Sequence, residues 1–187
     1  MPRKPTALAE ECDRVLIRDR ALRKRVKQLG EEIHRDMPPG EFTVVALLNG
    51  AAVFTADLIR ELPRPLQLDF IGLGSYADRT TAGVLKQTKA LGVSVHGRNV
   101  LLVDDILDTG NTLERAVGLL RTAGAALIKT CVLLDKPSRR QTAIQADYVG
   151  FTIPDEFVVG YGLDFDHRHR NWPHIGVLKR SAAGGIP

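Results

Sequence analysis

Apolar positions along the chain fall into short continuous runs separated by amphipathic stretches. Val15, Leu16 and Ile17 form the first run. Leu22, Val26, Leu29 and Ile33 then recur at helical spacing, with Asp19 placed as an N-cap and Met37-Pro38-Pro39-Gly40 ending the segment. Phe42 to Leu48 reads as a buried strand, Ala51 to Leu62 as a helix and Leu66 to Leu73 as a second strand. A polar loop bounded by Gly74 and Gly83 follows, after which Val84-Leu85-Lys86 resumes a strand pattern. Val100 to Val103 is another strand signal, ended by Asp104 and Asp105. Leu113, Ala116, Val117 and Leu120 return to helical spacing, and Gly124 stands where a left-handed helix stop belongs. Leu127 to Leu134 is a buried strand running into Asp135-Lys136-Pro137. From Asp147 to Leu178 the pattern gives short strands, a turn at Ile153-Pro154-Asp155 and a polar cluster from Asp164 to Asn171.

The stretch from Val100 to Leu113, VLLVDDILDTGNTL, carries the chemistry. It reads as strand, acidic turn, hydroxyl-rich turn and helix. The first amides of a helix lack internal partners and carry partial positive charge, so they suit a phosphate. Gly110 admits close backbone approach, and the Thr109 and Thr112 hydroxyls add donors. Carboxylates beside a phosphate need another partner, which sugar hydroxyls or a bridging Mg²⁺ supply. A phosphate next to a diol describes a ribose 5-phosphate. The stretch is not a Walker A loop, since the first glycine and the lysine of that pattern are missing. A purely structural turn explains Gly and Thr, but not three aspartates within five residues at the end of an apolar strand.

These residues resemble the phosphoribosyl-pyrophosphate signature of the type I phosphoribosyltransferases. Asp108, directly before Thr109-Gly110, is most similar to the hypoxanthine-guanine (6-oxopurine) branch. A second segment, DYVGFTIPDEFVVGYGLDFDHRHRNWPHIGVL from Asp147 to Leu178, carries the same resemblance. The fold it implies is α/β: a doubly wound, mostly parallel sheet flanked by helices. Residues 1–187 would form one domain, with a small hood built from the N-terminal segment and roughly 150–178.

The resemblance also implies a set of roles. Asp104, Asp105, Asp108, Thr109, Gly110, Asn111 and Thr112 would bind the ribose phosphate of phosphoribosyl pyrophosphate, with Asp108 as the general base. Asp104, Asp105 and Asp164 would meet Mg²⁺. Asn49 and Gly50, in the tight turn Leu48-Asn49-Gly50-Ala51, would form a pyrophosphate loop opening with a non-proline cis peptide, and Arg170 would assist. From the residues alone that turn reads equally as an ordinary strand-to-helix connection. Many members of the family carry Lys where this chain has Asn49, so the loop would donate without side-chain charge. Ser75 and Tyr76 would belong to a lid, where a plain hairpin loop is the alternative. Lys136 would donate to the purine's 6-oxo group, although a surface lysine reads the same in sequence. Phe157 would stack on the purine, with Val158 and Asp164 at its edge; a core aromatic is the commoner fate of a Phe. His167 and His169 lack a third ligand and read as surface residues.

Composition narrows the picture further. With 187 residues, 44% hydrophobic and 26% charged, the chain is long enough for a real core and ordinary for a globular protein. A net charge of +4 suits anionic small substrates, and no lysine-arginine run is dense enough to predict nucleic-acid binding. Cys12 and Cys131 match no disulfide or metal spacing, and no apolar stretch predicts a signal peptide or membrane span, so a cytoplasmic address is expected. The implied partners are phosphoribosyl pyrophosphate and a 6-oxopurine, in a homodimer or homotetramer. The competing readings are an enzyme for another base (xanthine, adenine or uracil) and an RNA-binding regulator of the same fold.

Overall fold

The computed structural model describes residues 11–75 and 85–179. Nine strands are formed among them: β1 (Cys12–Ile17), β2 (Phe42–Leu48), β3 (Leu66–Ser75), β4 (Leu85–Lys89), β5 (Asn99–Leu107), β6 (Leu127–Asp135), β7 (Tyr148–Thr152), β8 (Val158–Val159) and β9 (Ile175–Leu178). Six of them make the central sheet, in the order β4-β3-β2-β5-β6-β7. It is parallel throughout except for β4, which runs antiparallel on the edge.

Both faces of this sheet are covered, which is why its strands read as continuous apolar runs rather than alternating ones. Val44, Ala46, Leu101 and Val103 pack on one side with helix α1 (Asp19–Asp36) and helix α2 (Ala51–Leu58). Val45, Leu47, Val100 and Leu102 pack on the other with helix α3 (Asn111–Thr122). Helix α1 buries the predicted Leu22, Val26, Leu29 and Ile33, each contributing roughly 1.5–3 kcal/mol of transfer free energy.

Three boundaries differ from the sequence reading. Asp19 is the first helical residue and not the cap; Arg18 holds the N-cap position, and the Asp19 amide donates to His174 Nδ1 at 3.0 Å. Helix α2 stops at Leu58 and finishes as a 3₁₀ turn over Ile59–Glu61. Most consequentially, β5 does not end at Val103. Its ladder with β2 ends at the Ala46–Val103 pair, but its ladder with β6 continues through Asp104, Ile106 and Leu107. The two acids are therefore strand residues, at the point where β2 parts from β5 while still paired with β3.

The predicted stop at Gly124 is present. Its φ is +81°, its amide donates to the Arg121 carbonyl at 2.9 Å, and the Ala125 amide donates to Leu120 at 3.1 Å, a Schellman closure of α3. A second sheet, β1-β9-β8, is antiparallel and joins the start of the described chain to its end.

Candidate active site

A cavity of about 320 Å³ opens at the carboxyl ends of β2, β3 and β5, the edge at which open α/β sheets bind ligands. Gly50 lines it from one loop; Asp104, Asp105, Asp108, Thr109, Gly110 and Thr112 line it from the other. Gly110 is the N-cap of α3 with φ +93°, and a Cβ there would lie 2.2 Å from Thr142 Oγ1, so glycine is required on two counts. The start of α3 borders the cavity with no side-chain cap from Gly110; the Asn111 amide makes only a long contact, donating to Thr109 Oγ1 at 3.5 Å. Asn111 does not line the cavity: its side chain is exposed and donates weakly to Gln141 at 3.4 Å.

The Leu48–Asn49 peptide is cis, as the resemblance implies. Asn49 itself is exposed and does not line the cavity, whereas Gly50 is held against the acids. A Cβ on Gly50 would fall 1.7 Å from Asp105 Oδ2, and one on Gly162 would fall 2.3 Å from the Gly50 carbonyl. Three segments thus meet at backbone distance around the Asp105 carboxyl.

Asp104 is 6% exposed, and its Oδ1 accepts the Asp105 amide at 2.9 Å; Asp105 Oδ1 accepts the Ile106 amide at 3.1 Å. Burial, reinforced by the Asp105 charge, pushes the Asp104 carboxyl well above the usual carboxylate range. Burial raises Asp105 too, opposed by its hydrogen bond with Asp104 and by the charge of Arg170. Two adjacent carboxyls held this way favour sharing a proton or meeting a cation.

Asp108 is anchored by two arginines that the sequence reading passed over. Arg140 is half-buried against the loop: its Nε donates to the Asp108 carbonyl at 3.0 Å, its guanidinium donates to the Leu107 and Ile144 carbonyls at 3.2 and 2.8 Å, and it pairs with Asp135. Arg139 Nε approaches Asp108 Oδ1 at 3.1 Å. The only sequence signal was the Arg139-Arg140 doublet just past the end of β6.

The predicted base-side residues do not line that cavity; they lie just before the 3₁₀ turn that follows β6 (Pro137–Arg139) and in residues 153–172. Lys136 is not a surface residue: it is 6% exposed, and burial lowers the pKa of its ammonium against the pull of Asp108 and Asp155. Phe157 is not a core aromatic; it is 41% exposed and meets Phe165 edge to face at 5.6 Å. Val158 is buried in β8. Arg170 pairs with Asp164 at 2.8 Å and donates to the Gly162 carbonyl at 2.7 Å. Asp164 is thereby engaged by Arg170, whose charge also reaches Asp105. Among the described residues no group of three or more metal-ligating side chains is assembled, so the expected ligand trio is not gathered by the protein alone. Ser75 closes β3, and Tyr76 lies outside the described residues. His167 is exposed as expected, but His169 is not a surface residue. It is 6% exposed, with Nε2 3.1 Å from Glu11, because the 164–172 turn folds it inward against the segment leading into β1.

Comparison with known proteins agrees with this geometry. The model of the phosphoribosyl transferase domain matches residues 16–166. The hypoxanthine-guanine phosphoribosyltransferase of Bacillus subtilis is 44% identical over 173 residues, 92% of this chain and 96% of that one. A crystal structure of the Bacillus anthracis hypoxanthine-guanine phosphoribosyltransferase superposes with a TM-score of 0.86 at 42% identity, over 90% of this chain and 100% of that chain. A Staphylococcus aureus hypoxanthine phosphoribosyltransferase structure gives 0.92 at 36% identity, over 98% and 100%. The chain is also 42% identical to the bifunctional protein TilS/HprT of Listeria innocua, but spans only 27% of its length. With the expected sheet, cavity and acid-rich loop in place, the chain belongs to the phosphoribosyltransferase family, in its hypoxanthine-guanine branch.

Proposed function

We propose that the chain transfers the 5-phosphoribosyl group of phosphoribosyl pyrophosphate to N9 of hypoxanthine or guanine, giving IMP or GMP and pyrophosphate. The observation that carries this reading is the single cavity in which Asp104, Asp105 and Asp108 meet the start of α3. The amides of residues 110–112 and the two threonine hydroxyls would take the 5′ phosphate. Asp104 and Asp105 would accept from the ribose diol. Gly50 and Arg170 would meet the departing pyrophosphate, Arg170 by turning from Asp164. Asp108 would accept the proton of the purine ring nitrogen as the new bond forms. The Lys136 ammonium would donate to a 6-oxo group, and a 6-amino group would repel it because it is itself a donor. Phe157 offers its exposed face to the base, with Val158 and Asp164 at the edge.

The donor chemistry fits Mg²⁺, which is commonly held by one or two carboxylates plus substrate phosphates rather than by a complete protein cage. Asp104, Asp105 and Asp164 would hold it, and when bound it neutralises charge on the leaving pyrophosphate. The β1-β9-β8 sheet would serve as a hood on one domain, and a homodimer or homotetramer is the expected assembly. Among the described residues no helix is long and apolar enough to cross a membrane, and we place the enzyme in the cytoplasm.

A steady-state assay with Mg²⁺, phosphoribosyl pyrophosphate and each of hypoxanthine, guanine, xanthine, adenine and uracil tests the proposal. Nucleotide formation is expected from hypoxanthine or guanine; a preference for adenine or uracil would overturn it.

A further inference from the structure

We propose that Arg139 is a positioning residue for the general base, holding the Asp108 carboxylate so that one oxygen is committed and the other is left for the purine proton; this rests on the phosphoribosyl-transfer reading above. The two oxygens of Asp108 are not equivalent. Oδ1 is shielded from solvent and lies 3.1 Å from Arg139 Nε, without an aligned hydrogen bond from any donor. The contact is an ion pair and not a directed N–H···O bond. The Asp108 side chain is 36% exposed, and that exposure falls away from Oδ1. An oxygen already facing a fixed cation is the poorer proton acceptor, which leaves Oδ2 for the chemistry.

The rest of the surroundings restrict Arg139 itself. Its Nη1 lies 3.6 Å from Asp155 Oδ1, so one planar guanidinium spans a carboxylate of the β5–α3 loop and one of the 153–157 turn. A lysine ammonium presents one point of charge and cannot span two such groups from fixed positions. The Arg139 amide donates to the Lys136 carbonyl at 3.3 Å, which ties its backbone to the turn that places the 6-oxo donor. Arg140, next in sequence, grips the Asp108 carbonyl. The doublet therefore divides its work: Arg140 fixes the backbone of the base, and Arg139 fixes its carboxylate.

A merely structural ion pair predicts something different. Arg139 and Asp155 are each about half exposed, and pairs of that kind add little to stability. The experiment compares Arg139→Ala and Arg139→Lys, in the wild-type and Asp108→Asn backgrounds, for IMP formation from hypoxanthine and for thermal melting. Arg139→Ala is expected to lower kcat between about 5- and 50-fold, with KM for phosphoribosyl pyrophosphate within about twofold and the melting temperature within about 2 °C. Arg139→Lys should recover part of kcat. In the Asp108→Asn background Arg139→Ala should have no further effect, because the group it positions is gone. An unchanged kcat in Arg139→Ala would overturn the proposal. So would an equal fall in both backgrounds, or a loss of melting temperature large enough to explain the loss of activity. A wild-type protein that forms no nucleotide from any purine would overturn the transfer reading first, and the proposal with it.

Discussion

Asp69 and Asp104 sit on parallel strands of one sheet, and both are nearly inaccessible, at 8% and 6% exposure. Their surroundings differ. Burial alone would raise Asp69, but Lys89 Nζ at 2.9 Å and the amides of Phe70, Gly92 and Val93 saturate its carboxylate and hold it down to about 2. Asp104 accepts one amide, has Asp105 as its neighbour, and is pushed upward. A buried acid that the fold satisfies is a staple. One that the fold leaves short of donors and next to a like charge makes sense only if something else supplies them. That difference, more than the presence of aspartates, separates the cavity of this protein from the rest of its interior.

The largest effect expected on the unsatisfied side is at Asp108. Asp108→Asn should lower kcat by roughly 10²–10⁴-fold while leaving phosphoribosyl-pyrophosphate affinity nearly unchanged. Equal losses in both, measured by steady-state kinetics and direct titration, would make Asp108 a binding residue. On the satisfied side, Asp69→Asn should leave kcat unchanged and destabilise the fold at pH 7 by about 2 kcal/mol in urea unfolding, since its carboxyl is held near 2 against an unfolded value of about 3.9. Its folded pKa is depressed, so this stability is present above about pH 4 and is lost as pH falls towards 2.

Asp104→Asn should do the opposite. Its folded pKa is raised, so its ionisation weakens the fold as pH rises. Removing the charge should raise the melting temperature by about 2–4 °C, the shift that ~1 kcal/mol produces in a chain of this size, while turnover falls. A drop in melting temperature would mean that Asp104 is as satisfied as Asp69. The smallest effect is a proton count. Binding Mg²⁺ with phosphoribosyl pyrophosphate should release up to about one proton per site, read from calorimetric heats in two buffers of different ionisation enthalpy. No release would mean that the two carboxyls carry no proton before the ligand binds.

Much of this was legible in the sequence, for reasons that are local. The faces of α1 and α3, the runs of β2 and β5, the stop at Gly124 and the turn at Gly110 follow from side-chain character within a few residues. The parts that were not legible depend on distant partners. β5 outruns Val103 because β6 continues beside it, which no property of Asp104 or Asp105 reveals. Arg140 acts on a carbonyl 32 residues earlier, and Gly92 satisfies a carboxylate 23 residues earlier. His169 is buried only because Glu11, near the other end of the chain, lies against it. Lys136 could be read as surface or site from its sequence, and only the burial of its own side chain beside an exposed turn separates the two. The resemblance supplied roles for individual residues, but not the arginines that hold them in place.

The small sheet has a consequence for how the protein comes into being. β9 lies between β1 and β8, so residues 12–17 stay without their hydrogen-bonding neighbour until residues 175–178 have left the ribosome. The strands and helix that carry the acid-rich loop, β2, β5, β6 and α3, all precede residue 136, and Arg139, Arg140 and Thr142, which hold Asp108 and pack against Gly110, follow directly. Translation at about 5–20 residues per second therefore builds the acid-rich loop first and the small sheet seconds later. On the roles proposed above, the sugar-phosphate side of the site takes shape before the base side does.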